Sequence, residues 1–341
     1  MDIHSVVANL LDNLDVGRFG TTYTVLNAFN GEVIVNSTQF LADFHTMYTQ
    51  PIHVAQPAGL NLPTVLRSVR DQITPIMMAE RQNNSMSGRS KICLIMPNTA
   101  AVSEGDSNFA IERLQILREE VPDLRFLYFA GGSHTRFNRF VREESRDVFQ
   151  LRELGSGAVI DGVTVQTAPV IQRIQQEQRR IVNPRCGHDW IQTSWGSNSF
   201  NQYVEPRGIV FYRLQPNYFF QQAENRRLRI QGHGFATLTV CHSRWVAMPR
   251  ANATQNNDVI NCRTIGTETV DIDLSNACEG HSHTQQTEVT ALRCTERECR
   301  FPDNARFAVV VDNLGCFSGA GQLLGSLVVL LVALAGVFFR Q

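Results

Sequence analysis

Eight cysteines, nine histidines and a few serine and asparagine motifs are the residues whose types and spacing bear on chemistry. Seven cysteines lie from Cys186 onward: Cys186, Cys241, Cys262, Cys278, Cys294, Cys299 and Cys316. Crowded into a strand-rich region, they are expected to form disulfides in an oxidising compartment, with a connectivity that spacing leaves open. Cys93 stands apart inside an apolar run and reads as a buried thiol. His281-Ser282-His283 lies close to Cys278, a grouping that zinc can use. Disulfide formation would remove those thiolates, so neither a metal nor another cofactor is expected. Ser133-His134 has no assignable acidic partner, and Gly155-Ser156-Gly157 lacks the Gly-x-Ser-x-Gly elbow of hydrolases. No Gly-rich phosphate loop or kinase set is present. An ectoenzyme working through its histidines therefore ranks last, and a non-enzymatic role is expected. His233, between two glycines, reads as a turn residue, and Tyr212, Tyr218, Phe219 and Phe220 read as core.

The chain has 341 residues, enough for two domains, and a formal net charge of -1. That charge gives no electrostatic reason for a nucleic-acid partner. Arg226-Arg227-Leu228-Arg229 reads as the solvated face of a strand. Sequons stand at Asn36, Asn83 and Asn252, marking candidate glycosylation sites. Residues 323–339, LLGSLVVLLVALAGVFF, are uncharged and apolar. As a helix they would span roughly 26 Å, and extension back to Phe317 supplies the length of a bilayer core. Residues 317–339 are thus expected to form a transmembrane helix or the signal for a glycosylphosphatidylinositol anchor, with Ser318 or Asn313 as the attachment residue. Attachment at Asn313 would leave six cysteines in the second domain, an even number that can pair completely.

Residues 1–183 alternate helical and buried-strand patterns, which predicts a doubly wound α/β sheet. Residues 22–29 and 32–35 should pair about an Asn30-Gly31 turn. Ser37 or Thr38 should cap a short helix through about Tyr48, and Pro63 should open the next. Residues 92–96 and 124–130 read as strands buried on both faces. Asp106 should cap a helix with Ile111, Leu114 and Leu117 inward, and residues 137–141 should form a short helix. After a strand at 148–151, Thr167 should cap a helix reaching Ile181. Beyond Pro184 and Cys186 the pattern changes to short strands at 209–214, 228–230, 236–241, 270–274, 288–294 and 307–312. Residues 186–316 are therefore expected to form an antiparallel, disulfide-bonded β-sandwich.

The first region resembles a von Willebrand factor type A domain. Residues 6–16 (VVANLLDNLDV) resemble that family's first helix and 22–25 (TYTV) its second strand. Residues 59–66 (GLNLPTVL) resemble its glycine–threonine loop, 91–99 its fourth strand and 123–133 its fifth. The resemblance implies a recognition or adhesion role. The family's metal-ion-dependent adhesion site uses oxygen ligands that suit a hard cation. Asn61 stands at its threonine position and Pro97-Asn98-Thr99 at its Thr-Asp-Gly position, so Asn61 and Asn98 are degenerate ligand positions and no working metal site is expected.

The family's first strand, with its Asp-x-Ser-x-Ser loop, has no counterpart ahead of residue 3, and Met1-Asp2-Ile3-His4 does not resemble a secretory signal. Both features lead to the expectation of an N-terminally incomplete sequence. The reading is a cell-surface recognition protein, held at the outer face of a membrane by its C-terminus and bound to an extracellular protein ligand. The rival is a tail-anchored intracellular protein, in which the same cysteines would be reduced.

Overall fold

The computed structural model describes residues 3–17, 20–82, 89–98, 100–121, 124–152, 160–181, 198–204, 208–214, 226–234, 236–244, 246, 248–251, 259–274, 285–293 and 305–312. The protein is mixed α/β, with antiparallel sheets and a short parallel one. It divides into two units, Met1–Met78 with Arg89–Glu177, and Ala79–Gly88 with Gln178–Gln341.

In the first unit, α1 (Ile3–Asp12) precedes the antiparallel pair β1 (Tyr23–Leu26) and β2 (Val33–Thr38). Then follow α2 (Leu41–Met47), α3 (Gln50–Ala55), α4 (Leu62–Gln82), β3 (Lys91–Ile95), α5 (Glu104–Glu120) and β4 (Leu124–Ala130). A 3-10 helix (His134–Phe140), α6 (Glu144–Asp147), β5 (Val148–Gln150) and α7 (Ile160–Gln175) complete it. Strands β3, β4 and β5 form a parallel sheet with β4 in the middle. All seven residues of β4 are buried. Phe126, Tyr128 and Ala130 pack with Leu62, Leu66, Leu114 and Leu117 of α4 and α5, whereas Phe129 packs with Val6, Leu10, Val163 and Val170 of α1 and α7. Successive side chains thus enter opposite cores, which is why this strand reads as a continuous apolar run. Its exception, Arg125, is buried and ion-paired to Asp147 and Glu177, and Arg173 of α7 also pairs with both.

Several local expectations need correction. The strand beginning near Thr22 ends at Leu26, because Asn27 Oδ1 accepts from the N–H groups of Phe29 and Asn30 and turns the chain. A wider loop, with Gly31 at φ 72°, replaces the two-residue turn. Thr38 ends β2 and accepts from the Phe40 N–H, while Phe40 occupies the N-cap of α2. Ser103, not Asp106, caps α5: its hydroxyl accepts from the Asp106 N–H and donates to the Asp106 carboxylate. Ile111 is 37% exposed, and Ala110 takes the inward position beside Leu114 and Leu117. Thr167 lies within α7, buried, bonding back to the Val163 carbonyl and across to Asn9 of α1. Ile181 belongs to a strand, β6 (Arg179–Ile181), and not to the preceding helix.

The second unit carries β6, β7 (Asn198–Val204), β8 (Ile209–Leu214), β9 (Arg227–Gly232), β10 (Thr237–Ser243) and β11 (Asn261–Ile265). It ends with β12 (Thr269–Asp273), β13 (Gln285–Arg293) and β14 (Ala305–Asp312). One sheet runs β11-β10-β13-β8-β6 and the other β12-β9-β14-β7. Tyr212, Leu214, Leu238 and Val240 of the first join Leu228, Ile230, Phe307, Val309 and Val311 of the second in one buried cluster, the core of a sandwich. Strand β14 alternates buried and half-buried residues throughout. β6 runs parallel to β8, so the chain enters this unit at Gln178, ahead of the Pro184–Cys186 boundary read from sequence. Arg227 is exposed and Arg229 pairs with Asp312, as a solvated strand face requires, whereas Arg226 is buried. The stretch 317–339 lies outside the described residues; among those described, no helix is long and apolar enough to cross a membrane.

Candidate functional site

In open parallel α/β sheets, ligands meet the carboxyl ends of the strands, where loops diverge over the sheet. Here those ends are Asn98 after β3, Gly131-Gly132-Ser133-His134 after β4, and Gln150 closing β5. The first two loops touch directly: the Gly131 N–H donates to the Pro97 carbonyl at 3.0 Å. Gly131 is small for a reason, since a Cβ there would lie 2.6 Å from Asn98 Oδ1. Gly132 has φ 63°, a backbone region that suits glycine.

Arg136, in the 3-10 helix, clasps both loops. Its Nε donates to the Ala100 carbonyl at 3.1 Å, and its Nη2 to the Asn98 carbonyl at 2.8 Å. Its Nη1 donates to the Gly131 carbonyl at 2.7 Å and also to that of Ser133. The guanidinium sits 4.5 Å from the centre of the Phe137 ring, and Phe137 is fully buried. Desolvation lowers its pKa from the usual arginine value.

Gln150 fixes the other side. Its Nε2 donates to the carbonyls of Gly132, at 2.8 Å, and Leu151, at 3.2 Å. Its Oε1 therefore faces His134 Nδ1, 2.6 Å away, and accepts the proton that Nδ1 carries. Ser133 Oγ bonds Thr135 Oγ1 at 3.1 Å. The polar side chains at this edge thus hold backbone in place. Sequence reasoning missed Arg136 and Gln150, because one arginine after a glycine pair carries no spacing signal that separates it from a solvated one.

Of the degenerate ligand positions, Asn98 belongs to this edge. Asn61 stands before α4, where its Oδ1 accepts from the Thr64 N–H at 3.1 Å and caps the helix. Among the described residues, no group of three or more His, Cys, Asp or Glu could hold a metal ion.

In the second unit, Cys241 and Cys262 form a disulfide between directly opposed residues of β10 and β11. Cys186, Cys278, Cys294, Cys299 and Cys316 lie outside the described residues, as do His281, His283, Asn83, Asn252, Asn313 and Ser318. Asn36 is exposed on β2, next to buried Val35. Cys93 carries a free, partly buried thiol whose pKa burial pushes up to about 12. His233 precedes Gly234, at φ 77°, in the connection between β9 and β10. Tyr212 is core, while Tyr218, Phe219 and Phe220 lie outside the described residues.

No family model and no curated protein matches the chain. Among solved structures, it is similar to PliG of Aeromonas hydrophila, a periplasmic inhibitor of g-type lysozyme, at 14% identity and a TM-score of 0.22. That match covers 36% of this chain and 91% of the inhibitor. PirA matches at 12% identity and a TM-score of 0.20, covering 36% of this chain and 96% of PirA. The family 11 carbohydrate-binding module of Clostridium thermocellum matches at 11% identity and a TM-score of 0.17, covering 38% of this chain and 88% of the module.

Proposed function

We propose that the chain is a non-enzymatic recognition protein of the extracellular cell surface, which meets a protein ligand at the carboxyl edge of β3, β4 and β5 without a metal ion. The observation that carries this reading is the Arg136 clasp. Four backbone carbonyls from two loops converge on one guanidinium, so the edge is organised before any ligand arrives. A parallel sheet with helices on both faces also supports the type A-like reading of this unit.

The Cys241–Cys262 disulfide supports an oxidising compartment and weighs against the tail-anchored intracellular rival. The apolar stretch 323–339 supports attachment to the membrane, with a lipid anchor slightly preferred to a spanning helix.

The test uses cells expressing the natural full-length protein. A membrane-impermeant amine label should tag it on intact cells, and phosphatidylinositol-specific phospholipase C should release it. Expressing cells should adhere to ligand-bearing cells equally well with and without a divalent-cation chelator. A protein protected from the label, or adhesion abolished by the chelator, defeats the proposal.

A further inference from the structure

We propose that Arg136 is the fixed cation of this edge and that its open side is a binding position for a carboxylate, an Asp or Glu side chain of the protein ligand. The proposal rests on the reading of this edge as a recognition surface and names the chemistry of its ligand.

The argument is an account of donors and charge. A guanidinium has five N–H donors. Four are committed to the carbonyls of Ala100, Gly131, Ser133 and Asn98. The fifth belongs to Nη2, whose bond to the Asn98 carbonyl is exposed. All four partners are neutral, and no carboxylate among the described residues contributes to its electrostatics. Arg70, Arg125, Arg146 and Arg173 of the same unit, by contrast, face carboxylates; Arg118 also bonds a carbonyl, that of Val141, but one carbonyl and not four. The site therefore holds a positive charge, one donor without a partner among the described residues, and a rigid mount.

Rigidity strengthens the case. The guanidinium cannot swing away to a distant carboxylate without releasing two loops, and its apolar side rests on the buried Phe137 ring. A carboxylate satisfies the remaining donor and the charge together, and charge-assisted bonds are the strong ones. A neutral amide satisfies only the donor. Gly132, exposed and without a side chain, leaves the Nη1 edge of the guanidinium uncovered. Arginine so placed does what a divalent cation does elsewhere: it cross-links loop oxygens and presents positive charge outward.

The experiment follows side-chain Nε–Hε resonances of arginine in the 15N-labelled full chain, held in detergent micelles. The Nε–H of Arg136 is bonded to Ala100 and so exchanges slowly enough to observe. The probes are N-acetylglutamate amide and its uncharged analogue N-acetylglutamine amide, at equal ionic strength. Saturable shifts of the Arg136 Nε–H and the Gly132 amide with the glutamate probe, and not with the glutamine probe, are expected. Arg136→Lys keeps the charge but loses the fork, and should weaken binding by about tenfold or more. Absence of saturation, equal response to both probes, or unchanged affinity in Arg136→Lys overturns the proposal. The comparison of probes needs no variant, so misfolding of Arg136→Lys leaves the outcome decisive. Carboxylate binding by a protein that never reaches the cell surface would defeat the functional reading and leave this inference standing.

Discussion

Arg136 Nη2 and the Asn98 carbonyl oxygen are 2.8 Å apart, which ties the segment after β3 to the 3-10 helix after β4. A residue read from sequence as a degenerate metal ligand thus offers its backbone, and the cation it meets belongs to the chain. The relationship unites the organisation of the edge with its expected independence from divalent ions.

The fold beneath that edge depends on a buried ion cluster. Asp147 is fully buried and accepts from Arg173 Nε at 3.0 Å and Nη2 at 2.8 Å, with Arg125 Nη1 at 3.4 Å. Asp147→Ala would leave two buried arginines with Glu177 as the one carboxylate they share among the described residues, and a loss of about 3–5 kcal/mol is expected. Arg70→Ala breaks an exposed pair with Glu120 and should cost no more than about 1 kcal/mol. Urea denaturation of both variants checks the ranking; equal midpoints would show that the cluster does not secure α7 to the sheet.

Tyr212 gives a prediction with two signs. It is fully buried between Phe200 and Phe307, yet its hydroxyl has no hydrogen-bond partner among the described residues. Tyr212→Phe removes an unsatisfied group and should be neutral or stabilising by up to about 1 kcal/mol. Tyr212→Ala should cost about 3–5 kcal/mol through the cavity it leaves. If Tyr212→Phe proves as damaging in thermal unfolding as Tyr212→Ala, the hydroxyl has a partner.

How much of this was legible in sequence varies with the physics of each element. β4 was readable because burial on both faces excludes polar residues from most of its length. β14 and β9 were readable because one buried face imposes alternation. β7 and β11 were missed: Asn261, Cys262, Arg263 and Thr264 are exposed on an edge strand, and β7 is also an edge, so neither carries a full apolar face. α3 buries no residue at all, which leaves periodicity nothing to report. Thr167 misled because a threonine beside an apolar periodic run has the pattern of a cap, whereas its hydroxyl serves a tertiary bond to Asn9. Clusters such as Asp147 with Arg125 and Arg173 join distant segments and leave no local trace.

Gly232 illustrates a backbone constraint in the sandwich. A Cβ there would lie 2.0 Å from the Gly266 carbonyl oxygen, a contact with main chain that no rotamer relieves. Gly232→Ala must push apart the junction of β9 and β12, and a loss of about 1–3 kcal/mol is expected. Calorimetry that finds Gly232→Ala as stable as the wild type would refute the close approach.

Cys93 sets a pH dependence. Its thiol is pushed from an ordinary value of 9.0 up to about 12 by desolvation. Above the unfolded value, the unfolded chain loses this proton while the folded chain keeps it. The contribution of Cys93 to stability is therefore undiminished below about pH 8.5 and falls as pH rises toward 12; Cys93→Ala should make the alkaline slope shallower, while buried Tyr128 and Tyr212, whose hydroxyls burial also pushes up, supply the rest above about pH 10. Iodoacetamide should label Cys93 in the native protein far more slowly at pH 8 than in urea. Equal rates in the two states would contradict the burial.

The cell-surface account depends most directly on the state of Cys241 and Cys262, opposed across β10 and β11. The decisive measurement is non-reducing peptide mass spectrometry on protein isolated from its natural source and alkylated at once, before any reduction. A linked peptide pair containing both residues is expected, with neither carrying the alkyl group. Recovery of Cys241 and Cys262 as separate, fully alkylated peptides would place the chain in a reducing compartment and contradict the account.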